Sequence, residues 1–320
     1  MDDNEIGGVW RTIGGRRIFI KNGQDLKSAM KESGKFIKSP ITGDNNIPNS
    51  LNKNSNKNVD KEMEDVKNVL TKKGVVFEKG FPKYSNKEYI CKQLYALNDI
   101  IEKDEKIASV IKDHPLAVRE DVLTMYDAYY SHMPDGFEEH SLNFGVMQNR
   151  KTTEEILARI EILREEKNKW ISKSMSNVKN EEYVIYHEMG HLKEKIMVEN
   201  YYKENPTFKE KYYKRMNKAK TQDEFSTYNY NMYYDAISHI KTETLYTIQE
   251  KNGTLKASKG RNDVSAYGEY GLKEVGEYGQ SIENFELVSE GNIILSNPTK
   301  KGKESYIYKD LNNLFERWYK

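Results

Sequence analysis

Residues 183–194 read YVIYHEMGHLKE, and two of the chain's six histidines, His187 and His191, stand four apart in it with Glu188 directly after the first. On an α-helix a separation of four puts side chains on one face about one turn apart, so both imidazoles can aim at one point. A single rigid element supplies two ligands of a tetrahedral zinc in this way. Glu188 is displaced around the helix from the histidines. That makes it a poor ligand but a good holder of a metal-activated water, the role of a general base. The flanks agree: Tyr183, Val184, Ile185, Leu192 and Ile196 give the apolar surround of a helix buried at the floor of a cleft. Gly190 removes a side chain where another backbone could approach. A helical glycine costs about 1 kcal/mol against alanine, and close packing would explain it here. The competing reading is an ordinary helix in which histidines recur by accident.

A hydrolytic zinc takes three protein ligands and keeps one position open. The other histidines, His114, His132, His140 and His239, have no comparable spacing, which turns the search to downstream carboxylates. The stretch DVSAYGEYGLKEVGEYGQSIENF, residues 263–285, holds Glu269, Glu274, Glu277 and Glu283.

Composition bounds what surrounds this motif. The 320 residues are 37% apolar, enough for one sizeable domain with accessories or two modest ones. Basic and acidic residues balance at 51 against 50, so no whole-chain field calls for a nucleic-acid or acidic-membrane partner. The single cysteine, Cys91, excludes an intrachain disulfide framework and a cysteine-rich zinc cluster, and its apolar helical context predicts that it packs in a core. The start, MDDNEIGGVW, is acidic and lacks an apolar run, and no later window reaches the length of a membrane span. The expectation is a soluble protein without a standard secretion signal.

Along the chain, GVWRTIGGRRIFIK (8–21) reads as a β-hairpin turning at Gly14-Gly15, followed by a short helix capped by Asp25 and ended by Gly34. Residues 41–60 carry seven asparagines and almost no apolar periodicity, the composition of a linker. A charged helical stretch, 61–73, and a short strand, 74–77, come next. Ser85 with Glu88 spells a capping box ahead of Ile90, Leu94, Leu97 and Ile101. A second helix is predicted over 116–130, then a strand at HSLNFGVM (140–147). Thr152 with Glu155 caps a helix bearing Ile156, Ile160, Leu163 and Trp170. The motif helix is predicted to start near Asn180, and 197–250 is helical in pattern and rich in tyrosine, ending at the turn Asn252-Gly253. A last helix, 309–319, offers Leu311, Leu314, Phe315 and Trp318 to the core. No internal repeat is evident.

HEMGH followed by V-S-A-Y-G-x(5)-E resembles zincin metallopeptidases related to the catalytic domain of anthrax lethal factor, a group that includes Pro-Pro endopeptidases and many phage-encoded zincin-like proteins. In that family an S-x-Y or S-Y-G element precedes the metal-binding glutamate by seven positions. The resemblance therefore implies Glu274 as third ligand and Tyr267 as the phenol that hydrogen-bonds the developing oxyanion. The family's usual E-x-x-A-E pattern is replaced here by Glu274-Val275-Gly276-Glu277, with the second acid one place early, which keeps Glu277 and Glu283 as substitutes for the third ligand. The long interval from His191 to Glu274 implies an insertion across roughly 197–260. The resemblance spans about residues 70–320 and is sharp at 183–194 and 264–277.

GVWRTIGGRRIFIKNGQDLKSAMKESGKF resembles a short module of phage head-morphogenesis and minor-capsid-associated proteins, often fused to an effector domain. Residues 1–40 carry eight Lys/Arg against five Asp/Glu, with Trp10 and Phe19 among the arginines. That composition could mark a docking tag or a phosphate-binding surface, and it fits the plain polar face of a hairpin better than direct nucleic-acid contact.

These readings combine into an α+β protein: a hairpin and helix docking module at 1–40, a polar linker and charged helix at 41–69, and a mostly helical zincin-like domain with a small mixed sheet at 70–320. The expected activity is zinc-dependent peptide-bond hydrolysis, with His187, His191 and Glu274 on the metal, Glu188 as base and Tyr267 on the oxyanion. The strand at 141–147 is expected to lie antiparallel to an extended peptide or protein substrate, an expectation that leans on family architecture. Implied partners are that substrate and, through the N-terminal module, phage head proteins; the implied location is the host cytoplasm or the virion. The competing class is a non-catalytic virion protein that keeps a zincin fold, against which Glu188 argues, since a domain without turnover needs no base. A nucleotide-using toxin is disfavoured, because no phosphate-cradling glycine loop or paired-glutamate motif occurs in suitable context.

Overall fold

The computed structural model describes residues 8–13, 16–21, 57–165, 170–245 and 286–320. The chain divides into two compact units, Met1–Ser55 and Asn56–Lys320. In the first, β1 (Gly8–Ile13) and β2 (Arg16–Lys21) form an antiparallel pair with Val9 opposite Ile20 and Ile13 opposite Arg16. The helix expected after Asp25 and most of the asparagine-rich stretch lie outside the described residues.

The second unit opens with α1 (Lys57–Lys72), whose Met63, Val66 and Leu70 are buried in the core. This charged helix therefore belongs to the folded unit, which begins well before the boundary at residue 70 read from composition. The chain continues through β3 (Val75–Phe77), α2 (Lys87–Lys103), α3 (Glu105–Asp113), β4 (Leu116–Asp121), β5 (Ala128–Ser131) and β6 (Ser141–Gly145). After the short α4 (Val146–Asn149) come α5 (Thr153–Glu165), α6 (Asn180–Glu204), α7 (Pro206–Met216) and α8 (Gln222–Thr244). The last elements are α9 (Glu286–Ser296), α10 (Lys300–Glu304), α11 (Tyr306–Leu314) and a π-helical turn, Phe315–Tyr319. The unit is α+β and mostly helical, and no described helix is long and apolar enough to cross a membrane.

The sheet order is β3-β4-β6-β5, with the first three strands parallel and β5 antiparallel to β6. Two expectations change here. The helix predicted over 116–130 is instead two strands, because Leu116 and Val118 alternate with more exposed neighbours at the period of a pleat. The strand at 141–145 is not a sheet edge, since it is paired on both sides and buried along its whole length; among the described strands the edges are β3 and β5. The cap of α2 also differs. Asn86 accepts the Tyr89 N–H at 3.1 Å, while the Ser85 backbone N–H donates to Glu120 and its buried hydroxyl has no partner among the described residues. The capping box of α5 forms as read, with Thr152 N–H on Glu155 and Glu155 N–H on the Thr152 hydroxyl.

Helix α6 runs through the middle of the unit, against β5, α2, α8, α9 and the C-terminal turn. It buries residues on every face, from Tyr183, Val184 and Ile185 to Leu192, Ile196 and Met197, as a helix surrounded by protein must. Two charges buried on this helix have polar partners from other elements. Glu194 on α6 meets Lys241 of α8 at 3.4 Å and accepts the Tyr233 hydroxyl at 3.2 Å. Lys195, fully buried, donates to the Pro134 carbonyl at 2.8 Å, fastening the β5–β6 connection to α6. The C-terminal segment buries Leu311, Leu314, Phe315 and Trp318 as expected, although its last turn widens to a π-helix.

Candidate metal centre

The site forms where α6 meets α9. His187 and His191 project from one face of α6 with ring centres 5.1 Å apart. On α9, Glu286 and Glu290 are likewise four apart, so their carboxylates share a face. The two helices approach closely because Gly190 has no side chain: a Cβ there would lie 2.4 Å from the Ser289 Cα. The Asn292 amide donates to the Tyr186 carbonyl at 2.7 Å and holds the register of the pair.

In that register Glu286 Oε2 lies 2.9 Å from His187 Nε2 and 3.5 Å from His191 Nε2. One atom from each of the three residues falls within 4.8 Å of the others. Ligands on a tetrahedral zinc with bonds of about 2.1 Å are about 3.4 Å apart, close to these separations. Two imidazole nitrogens and a carboxylate oxygen are also a donor set that zinc accepts. Behind the pair, Glu290 Oε1 stands 3.0 Å from His187 Nδ1, an ion-pair distance rather than a well-aligned hydrogen bond, and that buried nitrogen has no other polar partner among the described residues.

The charges are mutually dependent. Burial disfavours an imidazolium at His187, but Glu286 and Glu290 outweigh it and raise the pKa well above the ordinary value. His191 is raised in the same way, burial being overcome by Glu286. Burial would raise Glu286, yet the two imidazoles hold it well below the usual carboxylate range. Without a cation, protons supply the positive charge that this cluster requires.

Glu188 is buried, and its Oε2 accepts the backbone N–H of Tyr130 on β5 at 2.7 Å. Oε1 makes no hydrogen bond among the described residues. Burial raises the Glu188 pKa, and the neighbouring histidines only partly offset it. Tyr130 is itself fixed. His140 Nε2 faces the His114 carbonyl at 2.8 Å and so carries the proton, which leaves Nδ1 to accept the Tyr130 hydroxyl at 3.0 Å.

The structure thus brings together His187, Glu188 and His191 as the sequence predicts. Glu274, Glu277, Glu283 and Tyr267 lie outside the described residues. The carboxylates found beside the histidines, Glu286 and Glu290, were missed. A signal for them existed: Glu286-Leu287-Val288-Ser289-Glu290 has the E-x-x-A-E spacing with serine for alanine, a closer fit than the stretch from Glu274. The chain matches no protein-family model, no curated protein and no solved structure.

Proposed function

We propose that the chain is a zinc-dependent endopeptidase in which His187, His191 and Glu286 hold the metal and Glu188 is the general base. The observation that carries this reading is the convergence of three donor atoms within 4.8 Å beside a buried glutamate one residue from the first histidine. Bound zinc supplies Lewis acidity, lowering the pKa of a water toward neutrality and polarising the scissile carbonyl.

Glu188 takes the water's proton on Oε1 while Tyr130 N–H holds Oε2, and then passes it to the leaving amine. The raised pKa of Glu188 suits it to both halves of that transfer. Substrate is assigned to the outer edge of β5. Gly145 N–H of β6 donates to the Asp127 carbonyl at 2.9 Å, so by alternation Tyr129 and Ser131 turn toward β6, and Ala128 and Tyr130 turn outward. Because Glu188 takes the Tyr130 N–H, an extended peptide added there would pair with Ala128 and pass beside Glu188.

With Glu286 as third ligand, the case for Tyr267 weakens, because it rested on the spacing to Glu274. The tyrosine nearest that spacing from Glu286 is Tyr278, eight positions earlier.

The test is metal content and peptide-library cleavage of the wild type beside Glu188→Gln and Glu286→Ala. The reading requires stoichiometric zinc in the wild type and in Glu188→Gln, cleavage by the wild type alone, and zinc lost in Glu286→Ala. A wild type that binds no zinc at micromolar concentration overturns it.

A further inference from the structure

Glu290 is almost completely buried, and its two oxygens have different neighbours. Oε1 faces His187 Nδ1 at 3.0 Å, and Oε2 accepts the Tyr183 hydroxyl at 2.8 Å. The same hydroxyl oxygen accepts the backbone N–H of Ile171, also at 2.8 Å. A phenol that accepts from a backbone N–H must send its own proton elsewhere, and here that proton goes to Glu290. The ring is held as firmly as the hydroxyl. Trp170 stacks on it at 4.8 Å and 6°, and the guanidinium of buried Arg164 lies 5.0 Å from its centre. Arg164 is in turn fixed by the carbonyls of Ile171, Ser176 and Val178.

We infer that Tyr183 is a positioning residue of the metal centre, acting on His187 through Glu290. Its hydroxyl proton occupies Glu290 Oε2 and holds the carboxylate with Oε1 turned toward His187. An acceptor 3.0 Å from Nδ1 favours the tautomer protonated there, the one in which Nε2, facing Glu286 and His191, gives up its proton to a metal. The two ends of the relay are chemically unlike. Ile171 N–H is a backbone donor that cannot act as an acceptor, so it fixes the direction of every proton that follows. This inference rests on the metal-centre reading and adds a group one step further from the ion, on the same helix as both histidines but four residues before the first.

Zinc affinity measured by competition with a chromophoric chelator tests it, together with the visible spectrum of the Co²⁺-substituted protein. Tyr183→Phe is expected to weaken zinc about tenfold and to change the Co²⁺ spectrum, the lower end of what loss of such outer partners does. Trp170→Leu removes packing from the same ring but leaves the hydroxyl, and should lower thermal stability with zinc affinity unchanged. In a Glu290→Gln background Tyr183→Phe should have no further effect, since the phenol acts only through that carboxylate. Glu290→Gln alone should also weaken zinc, because one amide oxygen cannot serve both donors, and it reports on the relay even if Tyr183→Phe does not fold.

Unchanged affinity in folded Tyr183→Phe or in Glu290→Gln overturns the inference. An equal loss in Trp170→Leu, or an additive loss in the double variant, also overturns it, because packing would then be the cause. A wild type that takes up neither Zn²⁺ nor Co²⁺ defeats the metal-centre reading itself, and the inference with it.

Discussion

The Cα of Ser289 sits 2.4 Å from the point where a side chain on Gly190 would begin, and the Ser289 carbonyl oxygen lies 3.0 Å from it. This contact sets how near the carboxylate helix comes to the histidine helix. Gly190→Ala should therefore act against helix propensity. Alanine favours the helix by about 1 kcal/mol, but relieving backbone overlap in a packed core costs about 1–3 kcal/mol and moves α9 outward. We expect a lower denaturation midpoint and weaker zinc binding together. Zinc affinity kept at the wild-type value would show that α9 can shift without disturbing Glu286.

The third ligand is decided by comparing two glutamates twelve residues apart in sequence. Glu286→Ala should lose stoichiometric zinc, whereas Glu274→Ala should keep it, as read by metal analysis of protein purified in zinc. The opposite pattern would return the ligand to the residue that the family resemblance implies. Loss in both would mean that the segment bearing Glu274 is needed to seat α9.

Protons and zinc compete for the same atoms, and the signs of the shifts define how. Raised folded-state pKa values at His187 and His191 give the metal-free protein stability that is fully present below the ordinary imidazole pKa and fades as pH rises through the folded values. The lowered Glu286 value gives stability that is present above the ordinary glutamate pKa and is lost as pH falls toward its folded value. The metal-free cluster should therefore stabilise most between about pH 4.5 and 6.5, with the melting temperature falling on the alkaline side. Zinc binding must displace the imidazole protons, so affinity should rise with pH and calorimetry in buffers of different ionisation enthalpy should register proton release. A zinc affinity independent of pH from 6 to 8 would contradict protonated imidazoles in the metal-free state.

What was legible in the sequence was local. HEMGH on a helix, the Thr152–Glu155 box and the need for a close neighbour at Gly190 all depend on residues within one or two turns, where spacing alone sets geometry. What was not legible depended on partners far away in the chain. Leu116 to Tyr130 is a helix on the sequence reading; pairing with β6 and β3, a tertiary choice, makes it two strands. Gly190 announced a contact but could not name Ser289, nearly a hundred residues on. The family resemblance places the third ligand at a fixed spacing from a tyrosine, whereas the more direct signal is two glutamates four apart in ELVSE, matching the two histidines four apart in HEMGH.

Glu188 serves two ends at once, and two substitutions separate them. Its Oε2 accepts the Tyr130 N–H at 2.7 Å, a bond that ties edge strand β5 to the histidine helix. Glutamine can still accept that N–H but cannot take a proton from water. Glu188→Gln should therefore keep both zinc and the wild-type melting temperature while turnover falls by about 10²–10⁴-fold, the usual scale for a lost general base. Glu188→Leu removes the acceptor as well and strands a buried donor, at about 1–3 kcal/mol. It should be as inactive as the glutamine variant and measurably less stable, with faster hydrogen exchange along Ala128–Ser131. Equal stability of the two variants would show that Tyr130 finds another acceptor and that β5 does not depend on the base for its position.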